Sequence, residues 1–157
     1  MTHFHIPKTC LPAAAVALMS ALALTAGCGQ RPAEPTLTPS EQVLKQLDAF
    51  KTALLASDLD TVMSLLSENY EGPSDDETKD RIGKQETREM FERMFLDGGF
   101  SEMDLSEALI EIEEDVAFAF PISMILPDET VFSCEMVYKK EGETWMLEQM
   151  MPAEAVY

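Results

Sequence analysis

The sequence is poor in histidine and cysteine, and both are concentrated at its amino end. His3, His5, Cys10 and Cys28 lie within the first 28 residues, and Cys134 is the only cysteine beyond them. If processing removes residues 1–27, the chain that remains has no histidine. That excludes Ser-His-Asp and Cys-His catalysis and any zinc site with histidine ligands. A disulfide framework within the domain is excluded as well, because Cys134 has no partner there.

Basic side chains are also scarce. Against 29 Asp and Glu the 157 residues carry 11 Lys and Arg, giving a net charge of −18 and a pI near 4.2. Such a chain has no basic stripe for a phosphate backbone, so nucleic acid is not an expected partner. Hydrophobic residues still make up 46%, enough for the core of one globular domain. Glycine-rich phosphate loops and CxxC pairs are missing, and no cofactor is expected.

An apolar run of sixteen residues, Leu11–Ala26, follows a single lysine and ends at Gly27 and Cys28. It is short for a membrane span and ends in small residues, which is typical of a signal peptide. Leu24-Thr25-Ala26-Gly27-Cys28 resembles the lipobox of bacterial lipoproteins, although leucine is commoner at the place of Thr25. The resemblance implies cleavage before Cys28 and diacylation of its sulfur. An ordinary signal peptide cut near Ala26, or an uncleaved anchor helix, is the alternative.

The lipobox sets the expected organisation: 1–27 a signal peptide, 28–37 a lipidated, proline-containing tether, and 38–157 the domain. Cleavage removes one basic residue, Lys8, and the net charge falls to −19. The acyl chains on Cys28 would hold the protein on a membrane of the cell envelope, facing the periplasm or the exterior. Gly29, in place of the aspartate that retains many lipoproteins at the inner membrane, favours the outer membrane if the source is Gram-negative.

Three helices are expected in the first part of the domain. A capping box at Thr38-Pro39-Ser40-Glu41 and an apolar period of 3.6 predict a helix over about 39–56. Ser57-Asp58 predicts the N-cap of a second helix, and a third begins near Gly83 and stops at Gly98-Gly99. Residues 71–81 are polar and predict an exposed loop after a short strand near Tyr70.

Beyond residue 104 the apolar period changes to two, which predicts strands over about 105–112, 116–124, 130–139 and 143–151. A loop at Glu141-Gly142 would make a hairpin of the last two strands. In that register Tyr138 lies opposite Trp145, and Glu135 lies opposite Glu148. Helices followed by a meander of strands predict an α+β domain.

Three stretches, residues 50–70, 83–95 and 137–150, resemble the nuclear transport factor 2-like superfamily in its SnoaL-like or polyketide-cyclase-like branch. The first holds a helix, a Ser-Asp-Leu-Asp corner and a second helix; the second resembles the third helix of the family; the last resembles its terminal hairpin. The resemblance implies three helices on one face of a curved antiparallel sheet of about four to five strands. It also implies a cone-shaped domain with an apolar pocket, and often a dimer through the sheets. Both enzymes and non-catalytic binding or assembly domains have this fold.

Glu135 and Glu148 are the candidate chemical groups, with Tyr70 and Tyr138 as candidate partners. Two carboxylates facing each other in a pocket cannot both ionise easily, and one would suit general acid or base work. On a solvated or dimer-facing sheet surface, with Lys139 nearby, the same pair would cost little. The second interpretation is favoured.

Two further features allow more than one interpretation. The acid runs at 75–80 and 111–115 have the charge to collect Ca²⁺, but Lys79 and Asp80 break the pattern of a calcium loop, and a solvated surface is favoured. Eleven methionines are an unusual number. Those in the second half of the chain either fill an ordinary core or line a pocket for an apolar ligand. Cys134 lies in an apolar run and is interpreted as a small buried hydrophobe.

The function expected from these observations is a membrane-anchored lipoprotein whose domain binds a small apolar ligand or assembles with another protein, including a second copy. An enzyme of isomerase, dehydratase or cyclase type, with Glu135 or Glu148 as general base, is the alternative.

Overall fold

The computed structural model describes residues 36–74 and 78–153, which form three helices and seven strands. In chain order these are α1 (Pro39–Leu55), α2 (Leu59–Leu65), β1 (Leu66–Pro73), β2 (Arg81–Gly83), α3 (Lys84–Leu96), β3 (Glu102–Asp104), β4 (Leu109–Glu113), β5 (Val116–Ile125), β6 (Val131–Glu141) and β7 (Thr144–Pro152). The predicted signal peptide, Cys28 and all of the tether but its last residues lie outside the described ranges. Within those ranges, no helix is long and apolar enough to cross a membrane.

The helices begin where the capping residues predict. The Thr38 hydroxyl accepts from the amide of Glu41, and the Glu41 carboxylate accepts from the amide of Thr38, which completes the capping box. Asp58 caps α2 by accepting from the amide of Thr61. Helix α3 ends at the predicted glycines, where Gly98 and Gly99 both have positive φ.

The sheet is larger than predicted and is mixed. Its order is β2-β1-β7-β6-β5-β3, and β4 also pairs with β5. Strand β1 is longer than the short strand predicted near Tyr70, and β2 was missed, because polar residues alternate with few large apolar ones there. Of β1, Leu66 and Tyr70 supply the large buried side chains. Strand β1 pairs with β7 in parallel, which no hairpin pattern can indicate. The fold class, helices packed on a curved sheet, is confirmed.

The strand predicted over 105–112 begins later than expected, as β4, and the short β3 before it was not predicted. The two strands lie one after the other along the same edge of β5. Between them the amide of Ser106 donates to Asp104 Oδ1, and a tight turn follows. Pro121 of β5 falls in the gap between the two pairings, at a shift in the β5–β6 register. Proline cannot donate to a ladder, so this is a position in a central strand where it is tolerated.

The register of the last hairpin differs from the predicted one. The two-residue loop is Gly142-Glu143, because Gly142 takes a positive φ of 65° there. Tyr138 therefore pairs with Leu147, not with Trp145, although all three still point into the core because the shift is an even number of residues. The register shifts once more between Leu147 and Gln149, so Glu148 is an extra residue in β7.

The core lies between the helices and the inner face of the sheet. Its largest fully buried side chains come from α1 and from every long strand. They include Phe50, Leu47 and Leu54 of α1, Tyr70 of β1, Ile122 of β5, Met136 and Tyr138 of β6, and Trp145 and Leu147 of β7.

Candidate functional site

A cavity of about 190 Å³ lies between α3 and the inner face of the sheet. Its walls come from α3 and the loop after it, and from β1, β5, β6 and β7. The lining residues are Pro73, Ser74, Met90, Phe91, Met94, Phe100, Met124, Phe132, Ser133, Cys134, Met150 and Pro152. None of these described lining residues is charged, whereas two surface depressions of about 300 and 360 Å³ carry charged side chains. The cavity is therefore suited to a neutral apolar group.

Local structure explains why methionine and phenylalanine meet at this place. Met90 and Met94 are one helical turn apart, so both lie on the face of α3 that covers the sheet. The Phe91 ring packs edge-on against the Phe100 ring, with centroids 6.3 Å apart and an interplanar angle of 68°. On the sheet, Met124 lies at an inward position of β5.

The extra residue in β7, Glu148, determines which side chain of this strand lines the cavity. Without it, the alternation of β7 would turn Met150 toward the outer face. Because Glu148 adds one residue, Met150 pairs with Met136 and is buried on the inner face. It lies there beside Cys134, and both line the cavity.

The mouth of the cavity is formed by the start of β6. Phe132 is 44% exposed although it lines the cavity, and Ser133 next to it is exposed. The Ser133 and Ser123 hydroxyls are 3.5 Å apart across the β5–β6 pair. A ligand would therefore enter past an aromatic ring. The two hydroxyls lie on the opposite face of the sheet, because Ser133 alternates with the inward-facing Phe132 and Cys134.

Cys134, Tyr70 and Tyr138 are buried close to one another. Burial raises the pKa of the Cys134 thiol to about 12. Burial also raises the pKa of both phenols above the usual value, and the nearby thiol adds a smaller effect in the same direction. The three groups are therefore neutral at physiological pH, which agrees with the interpretation of Cys134 as a buried hydrophobe. Neither tyrosine is among the described residues that line the cavity.

The two candidate carboxylates are not opposite each other. Glu135 lies between the buried Cys134 and Met136, so it points to the outer face, where it pairs with Met151. Glu148 is the extra residue of β7, and its carboxylate lies 3.6 Å from the Lys139 ammonium. Neither is among the described lining residues of the cavity. The predicted face-to-face pair is wrong because it depended on the hairpin register.

No cluster of three or more His, Cys, Asp or Glu side chains that could hold a metal ion occurs in residues 36–74 and 78–153. Of the predicted acid runs, residues 75–77 lie outside the described ranges. In the described part of the calcium-loop-like stretch, Lys79 forms an ion pair with Glu86 at the start of α3.

Sequence reasoning found the methionines of the cavity but missed its aromatic side. Phe100 follows the two glycines after α3, where no periodic pattern extends, and Phe132 lies at the exposed start of a strand. The two prolines of the lining, Pro73 and Pro152, end β1 and β7. Their convergence depends on the parallel β1–β7 pairing, which left no signal in the sequence.

Known structures with the same arrangement of elements identify the fold. No protein-family model and no curated protein matches the sequence. A putative calcium/calmodulin-dependent protein kinase II association domain from Xanthomonas campestris is 15% identical, with a TM-score of 0.59, covering 78% of this chain and 93% of its own. A putative dehydratase of the NTF2-like family from Streptomyces avermitilis is 14% identical, with a TM-score of 0.57 over 74% of this chain and 97% of its own.

An NTF-2-like protein of unknown function from Shewanella oneidensis is 18% identical, with a TM-score of 0.57 over 72% of this chain and 97% of its own. At these identities the likeness concerns the fold alone, and this fold carries both enzymes and binding domains. The domain described here therefore has the nuclear transport factor 2-like fold.

Proposed function

We propose that this protein is a lipid-anchored component of the bacterial cell envelope whose domain binds a small, neutral, apolar ligand without transforming it. The observation that carries the proposal is the cavity of about 190 Å³, whose described lining residues are uncharged and rich in methionine and phenylalanine. An engineered apolar cavity of about 150 Å³ in another protein stays dry and binds benzene, so this volume suffices for a small organic molecule.

The binding proposal can be tested by NMR on protein carrying ¹³C-labelled methionine methyl groups. On titration with hexan-1-ol or benzyl alcohol, we expect the signals of Met90, Met94, Met124 and Met150 to shift together. Met63 serves as a control because it is buried in α2 and does not line the cavity. Saturable shifts confined to the cavity methionines would support the proposal, and no shift at ligand concentrations up to the millimolar range would contradict it.

The anchor is a separate part of the proposal, supported by the sequence Leu24–Cys28. Mass spectrometry of the mature protein, made in a bacterial host with its own signal peptide, should find Cys28 as an acylated amino terminus. Replacing Cys28 by serine should release the protein from the membrane fraction. An unmodified amino terminus at any other residue would contradict the lipid anchor and leave the binding proposal untouched.

Assembly with a second copy is a second candidate function, and the outer face of the sheet favours it. The large side chains of Val116, Phe118 and Phe120 point outward, while the small Ala117 and Ala119 point into the core. Leu109 and Val131 on the same face are exposed and extend this apolar patch, whereas Glu111, Glu113 and Lys139 border it. An exposed apolar patch with a charged border is typical of protein interfaces, and we propose a homodimer through this face.

The enzyme alternative lacks a base at the cavity. Glu135 and Glu148 lie on the outer face, and the lining described above has no ionised group to abstract a proton. Replacing either glutamate by glutamine should therefore leave ligand binding unchanged. A specific loss of ligand binding in Glu135→Gln or Glu148→Gln would show that the replaced carboxylate takes part in the site and would support the enzyme alternative.

A further inference from the structure

We infer that the ligand of the cavity is a compound with a single aromatic ring, and that the cavity discriminates against a saturated ring of the same size. The inference rests on the proposed binding function and adds the chemical class of the ligand.

The first argument is the choice of side chains. Among the described residues that line the cavity there is no leucine, isoleucine or valine, and every large non-proline side chain is methionine or phenylalanine. The remaining core mixes branched aliphatic residues, such as Leu47, Val62 and Leu66, with methionine and aromatic side chains. A lining chosen only to fill space would contain both kinds, because branched aliphatic residues fill cores equally well.

The second argument is the geometry of the rings. Phe91 is stacked on Phe95, with centroids 5.7 Å apart, and meets Phe100 edge-on at 6.3 Å. Two of the phenylalanines that line the cavity, Phe91 and Phe100, are thus packed against other rings before any ligand enters. An aromatic guest can add a further edge-to-face or offset contact to this set, whereas a saturated ring has no quadrupole and cannot.

The third argument is the position of the thioethers. Met90 and Met94 approach from α3, and Met124 and Met150 approach from the sheet, so methionines line both sides of the space. Thioether sulfur makes favourable contacts with aromatic rings, usually at the ring edge. Flexible methionines around a planar guest can make such contacts from both sides, and they lose them with an aliphatic guest.

Size limits the guest to one ring. Sites for drug-sized ligands have volumes of about 300–1,000 Å³, whereas benzene occupies an apolar cavity of about 150 Å³. The cavity of about 190 Å³ lies just above the latter value. It therefore accommodates one ring with a short substituent, which can extend toward the mouth beside Phe132.

The matched pair benzyl alcohol and cyclohexylmethanol tests the inference, because both have eight heavy atoms and one hydroxyl group. Burial of apolar area alone would favour the saturated compound, which is the more hydrophobic of the two. We expect benzyl alcohol to bind about tenfold more tightly in titrations followed by the methionine methyl signals. A tenfold preference corresponds to about 1.4 kcal/mol.

Two substitutions by an uncharged aliphatic residue should remove the preference for benzyl alcohol over cyclohexylmethanol. Phe100→Leu and Met124→Leu should bring the ratio of the two dissociation constants close to one, while Phe50→Leu and Met63→Leu, at buried positions outside the cavity, should leave it unchanged. The methyl spectrum of each variant shows whether it is folded.

The possible results separate the two proposals. Equal binding of both compounds, tighter binding of cyclohexylmethanol, or an unchanged ratio in folded Phe100→Leu and Met124→Leu would overturn the aromatic inference and leave the binding function intact. Failure of both compounds to bind would overturn the proposed function itself.

Discussion

At the scale of the residue, Trp145 is the largest fully buried side chain of the core. Its ring lies on the inner face of β7, 2% exposed, with the Lys140 ammonium 5.9 Å from the ring centroid near the β6–β7 loop. Removing so large a buried side chain costs both transfer free energy and a cavity. The fold therefore depends strongly on this one position.

We predict that Trp145→Ala lowers the free energy of unfolding by about 3–5 kcal/mol, a large share of the 5–15 kcal/mol typical of a domain. Urea denaturation of the chain from residue 29 onward measures it. Glu148→Gln is the control on the same strand. It loses one partly exposed ion pair with Lys139, and we expect a cost of about 0–1 kcal/mol. A larger loss in Glu148→Gln than in Trp145→Ala would mean that the faces of β7 are reversed.

The buried Cys134 thiol makes stability depend on alkaline pH. Its pKa is about 12 in the folded protein, against an ordinary value of 9.0. Between these values the unfolded chain binds fewer protons than the folded one, so the free energy of unfolding falls as pH rises. The raised pKa values of Tyr70 and Tyr138 act in the same direction at higher pH.

We predict that the urea midpoint falls between pH 8 and pH 10.5, and that Cys134→Ala shows a smaller fall between pH 8 and pH 9.5. Denaturation curves of both proteins at several pH values measure the difference. The prediction fails if the midpoint rises with pH, or if both proteins show the same fall in the lower window.

At the scale of the element, the β6–β7 hairpin is defined by its loop and by its extra residue. Gly142 has a positive φ, and a Cβ added there would meet nothing within 4 Å, so backbone strain is the whole cost of a side chain at this position. Glu148 then sets which residues after it point inward. Loop and bulge together place Met150 in the cavity.

We predict that Gly142→Ala destabilises the domain by about 1–2 kcal/mol, because alanine is strained in the left-handed conformation. Glu143→Ala, in the neighbouring and exposed loop position, should change stability by less than about 0.5 kcal/mol. Urea denaturation compares the two variants. Equal effects would contradict the assignment of the loop to Gly142-Glu143.

At the scale of the whole molecule, the two faces of the sheet have different roles. The inner face closes the core and the cavity, whereas the outer face has no covering element among the described residues. Leu109 and Val131 are 59% and 57% exposed there. Burial of this outer surface against a second copy is the physical basis of the proposed dimer.

We predict that the chain from residue 29 onward is a dimer in sedimentation experiments and that Phe118→Glu converts it to a folded monomer. A charge at the centre of an apolar interface is costly to bury. Leu96→Glu, at a position 87% exposed at the end of α3, is the matched control and should remain dimeric. A wild-type protein that is monomeric at high micromolar concentration would contradict the proposal.

Local patterns in the sequence determined the helices, the period-two region and the general fold class. Thr38, Asp58 and the Gly98-Gly99 pair act through neighbours a few residues away, so their effects are visible in the chain itself. The buried state of Trp145, Tyr138 and Cys134 was likewise predictable, because apolar alternation marks a face whatever the exact register.

Tertiary structure alone decided which residues meet. The parallel β1–β7 pairing, the pairing of the short β3 with β5, and the shift at Glu148 arise from contacts between distant segments, and each leaves little or no local pattern. The bulge at Glu148 shifts by one residue which side chains of β7 point inward. Met150 therefore lines the cavity, and Glu135 does not lie opposite Glu148. The cavity therefore followed from packing, whereas the methionines and phenylalanines that line it were already present in the sequence.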